Sequence, residues 1–512
     1  MAQIGTIVTS QESPPAVANA NSTANAFMVG FADWGPGGAS GVNTAVTTPS
    51  SSLAAAAALI GPPNGGLTQN QRTSTNATLY DSADVFFREG GANLYLSRVC
   101  GPNPTKGSMV IRDSASVTCA SIIAAYFGPG SSAINIAVAT TGSPTYTITI
   151  TDNLGNVLAT SPTLTSVANH TELVAWAATT NLITAASVTA STPGNFTTAS
   201  PLTSGLDDHG NATITHWTSA LTTGFGYGLG PGQVMAPNQN NTSLAGIWSA
   251  LATHAQNNNR IALLDGTDGN TATAAVSEVT TAALSSSLQS YAGIWAGNLQ
   301  IPGITSGTVR VIPPSPVVAA LCARADNRGN PNQAPAGVNY PLQYVSGQNT
   351  IYSGPLTGDI ATLNNSGINV FSVQFNTLQN FGFVSAQGLP TVDAIYWQLS
   401  HGRLRMAIIN QSQIVSQPFE FSQLDGQGQT ISAFGGALSG MLLGYYQVGA
   451  LYGATAPAAF SVNVGSSVNT PASLQAGLLQ AVLAVRMSPF AQLVQIVINA
   501  VPITQGLVQT AS

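Results

Sequence analysis

The run Asp207, Asp208, His209, with His254 and Asp265 behind it, is the first place in this sequence to look for catalysis. A serine-type hydrolase needs a serine, a histidine and a carboxylate converging, with backbone N–H donors aimed at the oxyanion. No G-x-S-x-G elbow is present to present such a serine. In a chain this rich in Ser and Thr, any histidine has a hydroxyl near it by chance. Asp265 ends the apolar run RIALLD (260–265), where a carboxylate is expected to cap or close a turn. TKGS at 105–108 is no nucleotide loop, since the glycine before the lysine is missing and no phosphate-holding helix clearly follows. The five histidines have no metal spacing. Cys100, Cys119 and Cys322 are expected to be buried free thiols. The residues therefore point to no catalytic centre, no metal and no cofactor.

The elements around these positions are more informative. Residues 308–345, TVRVIPPSPVVAALCARADNRGNPNQAPAGVNYPLQYV, predict a strand at Thr308 to Ile312, stopped by Pro313 and Pro314, which cannot donate to a ladder. Ser315 is the expected N-cap, with Pro316 at the first helical position and an apolar helix over Val317 to Ala323. Arg324, Asp326 and Arg328 follow, as either a solvated turn or an ion-pair cluster. Arg403 and Arg405, in LSHGRLRMAI, are a second basic pair, with a solvated helix face as the plain alternative.

Charge is scarce everywhere. Only 6% of the 512 residues are charged, the net charge is −6, and a typical soluble domain has about 25%. By surface scaling this leaves roughly one charge per 600 Å². An isolated subunit of this kind has little colloidal repulsion, whereas one covered by identical neighbours needs less. Lys106 is the single lysine, which excludes the clustered cations that nucleic-acid binding requires. MAQIGTIVTSQESPP has no basic region leading into an apolar core, so no secretory signal is read and cytoplasmic synthesis is expected. Residues 426–485 carry no charge, and Ile431 to Gly453 is long enough to cross a bilayer. Gly436, Gly440 and Gly444 are spaced like a helix-packing face. Polar residues within the span, and no close basic flank, favour a buried soluble helix.

In chain order, residues 1–24 read as an arm, with a short strand at Ile4 to Thr9. Residues 25–104 read as the first α/β part of a core: a strand in NAFMVG, a serine-capped helix in PSSSLAAAAALIG, a helix over Tyr80 to Glu89 and a buried strand in NLYLSRV. Residues 105–205 shift to Thr, Ser, Ala and Val and read as an inserted β-sandwich, with a hairpin over 145–161 and a helical segment over His170 to Ala186. Residues 206–389 alternate helix (241–256), strand (260–265), helix (271–289) and strand (291–298), which implies a mostly parallel sheet covered on both faces. Residues 390–490 read as an α+β domain, with helices near 392–413 and 430–452, a strand at 460–464, a capped helix within 469–480 and a strand at 481–487. Residues 491–512 are a terminal strand arm, with Val494, Ile496 and Ile498 on one face.

PPSPVVAALCARADNRGNPNQAPAG resembles the signature of contractile phage tail sheath proteins: a PPSG-like start, a small-residue helix, an Arg-x-Asp pair and an APAG-like turn. Pro316 stands where glycine is common. DVFFREGGANLYLSRV resembles that family's FF-x-NGG-x-x-YVVRV, with Phe86, Phe87, Gly90, Gly91, Tyr95 and Arg98 in place. GQVMAPN (232–238) and NRIALLD match further segments. The resemblance implies an α/β, multidomain fold: a subtilisin-like α/β core without protease activity, an inserted β-sandwich module, an α+β C-terminal domain and extended terminal arms.

It also implies partners: a helical homo-oligomer, a tail tube protein, and baseplate and tail terminator proteins, with neither nucleic acid nor membrane bound directly. Arg403 and Arg405 would face the tube. Ile4, Ile7, Val8, Val494, Ile496, Val497 and Ile498 would add strands to neighbouring copies by β-augmentation. The implied function is a sleeve in the virion tail, assembled in the host cytoplasm, whose contraction drives the tube through the host envelope. The contrasting reading is a secreted adhesin or surface-layer protein, favoured by Ser/Thr richness and N-x-S/T sites.

Overall fold

A computed structural model describes residues 23–35, 49–60, 78–303, 307–388, 395–494 and 496. Its largest sheet has seven strands among the described residues, in the spatial order 377–380, 368–374, 292–296, 260–265, 232–235, 25–30, 93–98. Every neighbouring pair is parallel except the edge strand Thr377–Asn380, which is antiparallel. Two stretches far apart in sequence build this one sheet, because Asn25–Gly30 pairs Gly232–Met235.

The strands are apolar on both faces, as a covered parallel sheet requires. Alternation sorts their side chains. Ala26, Met28, Leu94, Leu96, Ile261 and Leu263 enter one core, under helices Leu53–Ile60, Thr78–Arg88 and Ser315–Asp326. Phe27, Val29, Tyr95, Ala262 and Leu264 enter the other, under helices Ile214–Gly224, Ile247–Asn257 and Ala272–Ala282. Between the two core stretches, an antiparallel sheet of 106–112, 118–127 and 183–187 shares a third core with a sheet of 196–201, 135–142, 145–151, 157–160 and 164–165. Helices Leu399–Ser416 and Gln429–Gln447 close a fourth core with the hairpin of Phe460–Asn463 and Val482–Val485.

Several local expectations differ from what forms. Ser315 opens its helix instead of capping it; Pro314 stands at the cap, and the Ser315 hydroxyl is engaged elsewhere. The helix expected over 271–289 breaks into Ala272–Ala282 and Ser286–Gln289, because Ala283 turns left-handed, φ 44°. The segment expected to be helical to Ala186 ends at Thr180, and Ile183–Ser187 pairs with Thr118–Phe127 instead; its β-branched Ile183 and Thr184 suit the ladder. Helix 247–257 starts late because Asn240 accepts from the Thr242 and Ser243 amides and holds a turn ahead of it. No helix among the described residues is long and apolar enough to cross a membrane.

Candidate functional site

Of the catalytic candidates, His209 and Asp207 meet, while His254 and Asp265 stand apart. His254 and Asp265 flank opposite ends of the strand Arg260–Asp265, about 16 Å of extended chain. Asp265 accepts from the Ser315 amide (2.9 Å), the Ser315 hydroxyl (2.7 Å) and the Asn238 amide (3.2 Å). It therefore closes the start of helix 315–326, as its place at a strand end suggested. Burial pushes its carboxyl up to about 7. His254 faces Arg260, Nε2 to Nη1 2.7 Å; burial first, then that guanidinium, push the imidazole down to about 3. His209 pairs with Asp207 at 2.8 Å, and Asp208 holds the Asn103 amide at 2.8 Å. Cys100, Cys119 and Cys322 are buried and free, with burial raising the Cys322 thiol to about 12.

What the structure does assemble is a network of enclosed charges centred on residues 308–345. Arg310, in the strand Val309–Ile312, points inward because alternation puts Val309 and Val311 outside. It pairs with Asp81 at 2.8 Å and Asp84 at 2.9 Å on helix 78–88, and donates to the Tyr344 hydroxyl at 3.0 Å. Glu89, fully buried, accepts from the backbone amides of Gln343, Tyr344 and Val345 at 2.7–2.9 Å. Arg324 lies 4.0 Å from the same carboxylate. Gly90 and Gly91 permit this approach. A Cβ on Gly91 would sit 2.3 Å from the Phe86 ring, and Gly90 holds φ 96° against the Arg324 side chain.

Arg403 sits on helix 399–416 with no exposed surface and ion-pairs with Asp326. It also donates to the Cys322 carbonyl at 3.0 Å and the Gln333 carbonyl at 3.3 Å. The guanidinium of Arg403, which was expected to face the tube, lies inside the subunit. Arg405 is partly buried between the rings of Tyr291 and Tyr396, 3.8 and 4.4 Å from their centroids. Asn332 reaches the fourth core, donating to Ala450 at 3.0 Å and Ser488 at 2.7 Å. Of the charges following the apolar helix, Asp326 and Arg324 join the network, while Arg328 stacks on Tyr340, 4.4 Å from the ring centroid.

Two further buried arginines staple backbone. Arg98 donates to the Ala32, Gly35 and Phe127 carbonyls, tying the third core to the sheet. Arg260 donates to Phe225, Gly226 and Gly230 and stacks on Phe27. Sequence reading gave no role to Glu89, Arg260 or Arg310. The signal available was an isolated charge inside an apolar strand, as in VRVI and RIALLD. Of the expected strand-exchange residues, Val494 and Ile496 are exposed and belong to no strand. Ile4, Ile7, Val8, Val497 and Ile498 lie outside the described residues.

No family model and no curated protein matches the sequence. Solved structures do. The helical sheath of the anti-feeding prophage in its contracted state matches over 98% of this chain and 99% of its own, at TM-score 0.53 and 16% identity. The sheath tail protein from Desulfitobacterium hafniense covers 90% of this chain and 93% of its own, at 0.60 and 12%. The contracted sheath complex of the extracellular contractile injection system PVC covers 98% of each, at 0.52 and 13%. The chain has the fold of contractile sheath proteins. Within this sheath fold, the two signature stretches 84–98 and 308–345 are one physical object, joined by Arg310 to Asp84 and by Glu89 to residues 343–345.

Proposed function

We propose that this protein is the structural subunit of the sheath of a contractile injection system, assembling as a helical array of identical copies. The observation that carries the reading is likeness over nearly the full length of both chains to sheaths of two such systems in the contracted state. The sequence signatures support it independently. The internal network supports it physically: the scarce charges tie the cores to one another, so the subunit is suited to move as a rigid body between two packings. Contraction then draws its free energy from the difference in contact between those packings, summed over many copies.

On this reading the sleeve surrounds a tail tube and meets baseplate and terminator proteins, and in a phage its place is the virion tail. Arg405 remains the candidate for the tube side. The core is of subtilisin-like type, with the 105–205 stretch inserted. The terminal arms, with Val494 and Ile496 at the start of the second, add strands to neighbouring copies. Electron microscopy of the purified chain tests the reading: hollow striated sleeves are expected, and removal of residues 494–512 is expected to leave folded subunits that do not assemble. A wild-type chain that remains a monodisperse monomer at high concentration would overturn it.

A further inference from the structure

In the third core, helix Thr171–Thr180 carries the chain from strand Leu164–Thr165 of one sheet to strand Ile183–Ser187 of the other. Only Leu173 and Ala177 of its ten residues are buried, and a helix this short is marginal without packing. The chain enters it through two left-handed residues, Asn169 at φ 51° and His170 at φ 54°. The His170 ring holds that entry. It is fully enclosed and engaged at both nitrogens, Nδ1 with the Tyr146 hydroxyl at 2.6 Å and Nε2 with the Ser191 carbonyl at 3.1 Å.

These partners fix the proton on the ring. A carbonyl only accepts, so Nε2 carries the hydrogen and Nδ1 is the bare acceptor to which Tyr146 donates. A second proton, on Nδ1, turns that acceptor into a donor and takes from the Tyr146 hydrogen its place inside the core. It also puts a charge there with nothing opposite. The titratable groups around the ring are Tyr146 on strand 145–151, Cys119 on strand 118–127 with Asp113 beside it, and Glu172 on the helix. Glu172 gives its carboxylate to the Thr165 amide at 2.9 Å, and among the described residues His170 has no ion pair. Burial accordingly lowers the imidazole from its ordinary 6.5 and raises the Tyr146 hydroxyl.

We propose that His170 makes the third core acid-sensitive: protonation of its ring releases helix Thr171–Thr180 while the seven-stranded sheet stays folded. The inference concerns the single subunit and does not depend on assembly. The contribution of the neutral ring is complete above pH 6.5 and is lost as pH falls below it toward the folded value. The central sheet is built the other way, since buried Asp265 keeps its proton in acid and His254, held near 3, stays neutral.

Hydrogen exchange of the full chain at pH 7 and pH 5, corrected for the intrinsic exchange rate, tests this. The helix amides should lose at least about fivefold in protection, while strands Gly232–Met235 and Arg260–Asp265 keep theirs. His170→Gln, which has no titrating ring, should abolish the difference. Tyr146→Phe removes the donor to Nδ1 and brings the folded value nearer 6.5, so protection should be lower already at pH 7 and the further fall at pH 5 shallower. A purely structural loss would lower protection equally at both pH values. Unchanged wild-type protection, a fall shared with the central sheet, or an equal fall in His170→Gln would overturn the proposal. Where His170→Gln does not fold, a fall in Tyr146→Phe as steep as in wild type overturns it instead.

Discussion

Arg403 shows most directly how a residue type can mislead about its place. A basic pair on a helix suggests a surface, yet the guanidinium of Arg403 is enclosed and paired with Asp326. Removing one partner of such a pair strands the other charge in the interior, which costs about 3–5 kcal/mol. Arg403→Ala is therefore expected to lower the melting temperature sharply in the isolated subunit. Arg405→Ala, losing stacking on two tyrosines, should cost below about 2 kcal/mol. Thermal melts of the two single variants separate a folding defect from an assembly defect. A pH dependence follows from Asp265. Its folded value of about 7 lies above the ordinary carboxylate value of 3.8, so the folded state keeps a proton that the unfolded chain has released. That contribution is complete below pH 4 and is lost as pH rises through 7. His254, held near 3 against 6.5, acts oppositely, adding stability as pH rises to 6.5. Between pH 6.5 and 8 the slope belongs to Asp265, and Asp265→Asn, which mimics the protonated acid, should flatten it in urea titrations across that range.

At the scale of elements, Glu89 joins the end of helix 78–88 to the loop 343–345, more than 250 positions away in sequence. Glu89→Ala leaves three part-buried amides without their acceptor, at a cost of about 2 kcal/mol. Hydrogen exchange should show lost protection at Gln343, Tyr344 and Val345, while the strands of the central sheet stay protected. Most elements were legible in the sequence because their pattern is local. RIALLD and NAFMVG lie in the central sheet as expected. The hairpin within 145–161 pairs as its alternation implied. Thr470 caps the helix Pro471–Gln475 by accepting from the Ser473 amide. The illegible points were decided by neighbours: Ile183–Ser187 became a strand because an unpaired edge stood beside it. Ser315 gave up its capping role because a carboxylate from another strand took its hydroxyl.

For the whole molecule, low charge and buried charge act together. Arg98, Arg260, Arg310 and Arg403, out of 12 lysines and arginines, are enclosed, so the surface is poorer in charge than the composition implies. Assembly of such a surface depends on apolar and amide contacts, which salt screens little. The concentration at which sleeves form should change less than about twofold between roughly 50 and 500 mM salt, as read by sedimentation. A steep weakening with salt would show that surface ion pairs hold the sleeve instead.

The sequence by itself determined the layered α/β elements, the two signature stretches and the scarcity of charge, since each is written in adjacent residues. Only the tertiary structure decided which charges meet. Arg310 and Asp81 are 229 positions apart and Arg403 and Asp326 are 77, and no local periodicity relates them. Such pairs exist because the sheet order brings distant segments side by side. A charge in that interior must then find a partner or pay the full desolvation of remaining alone.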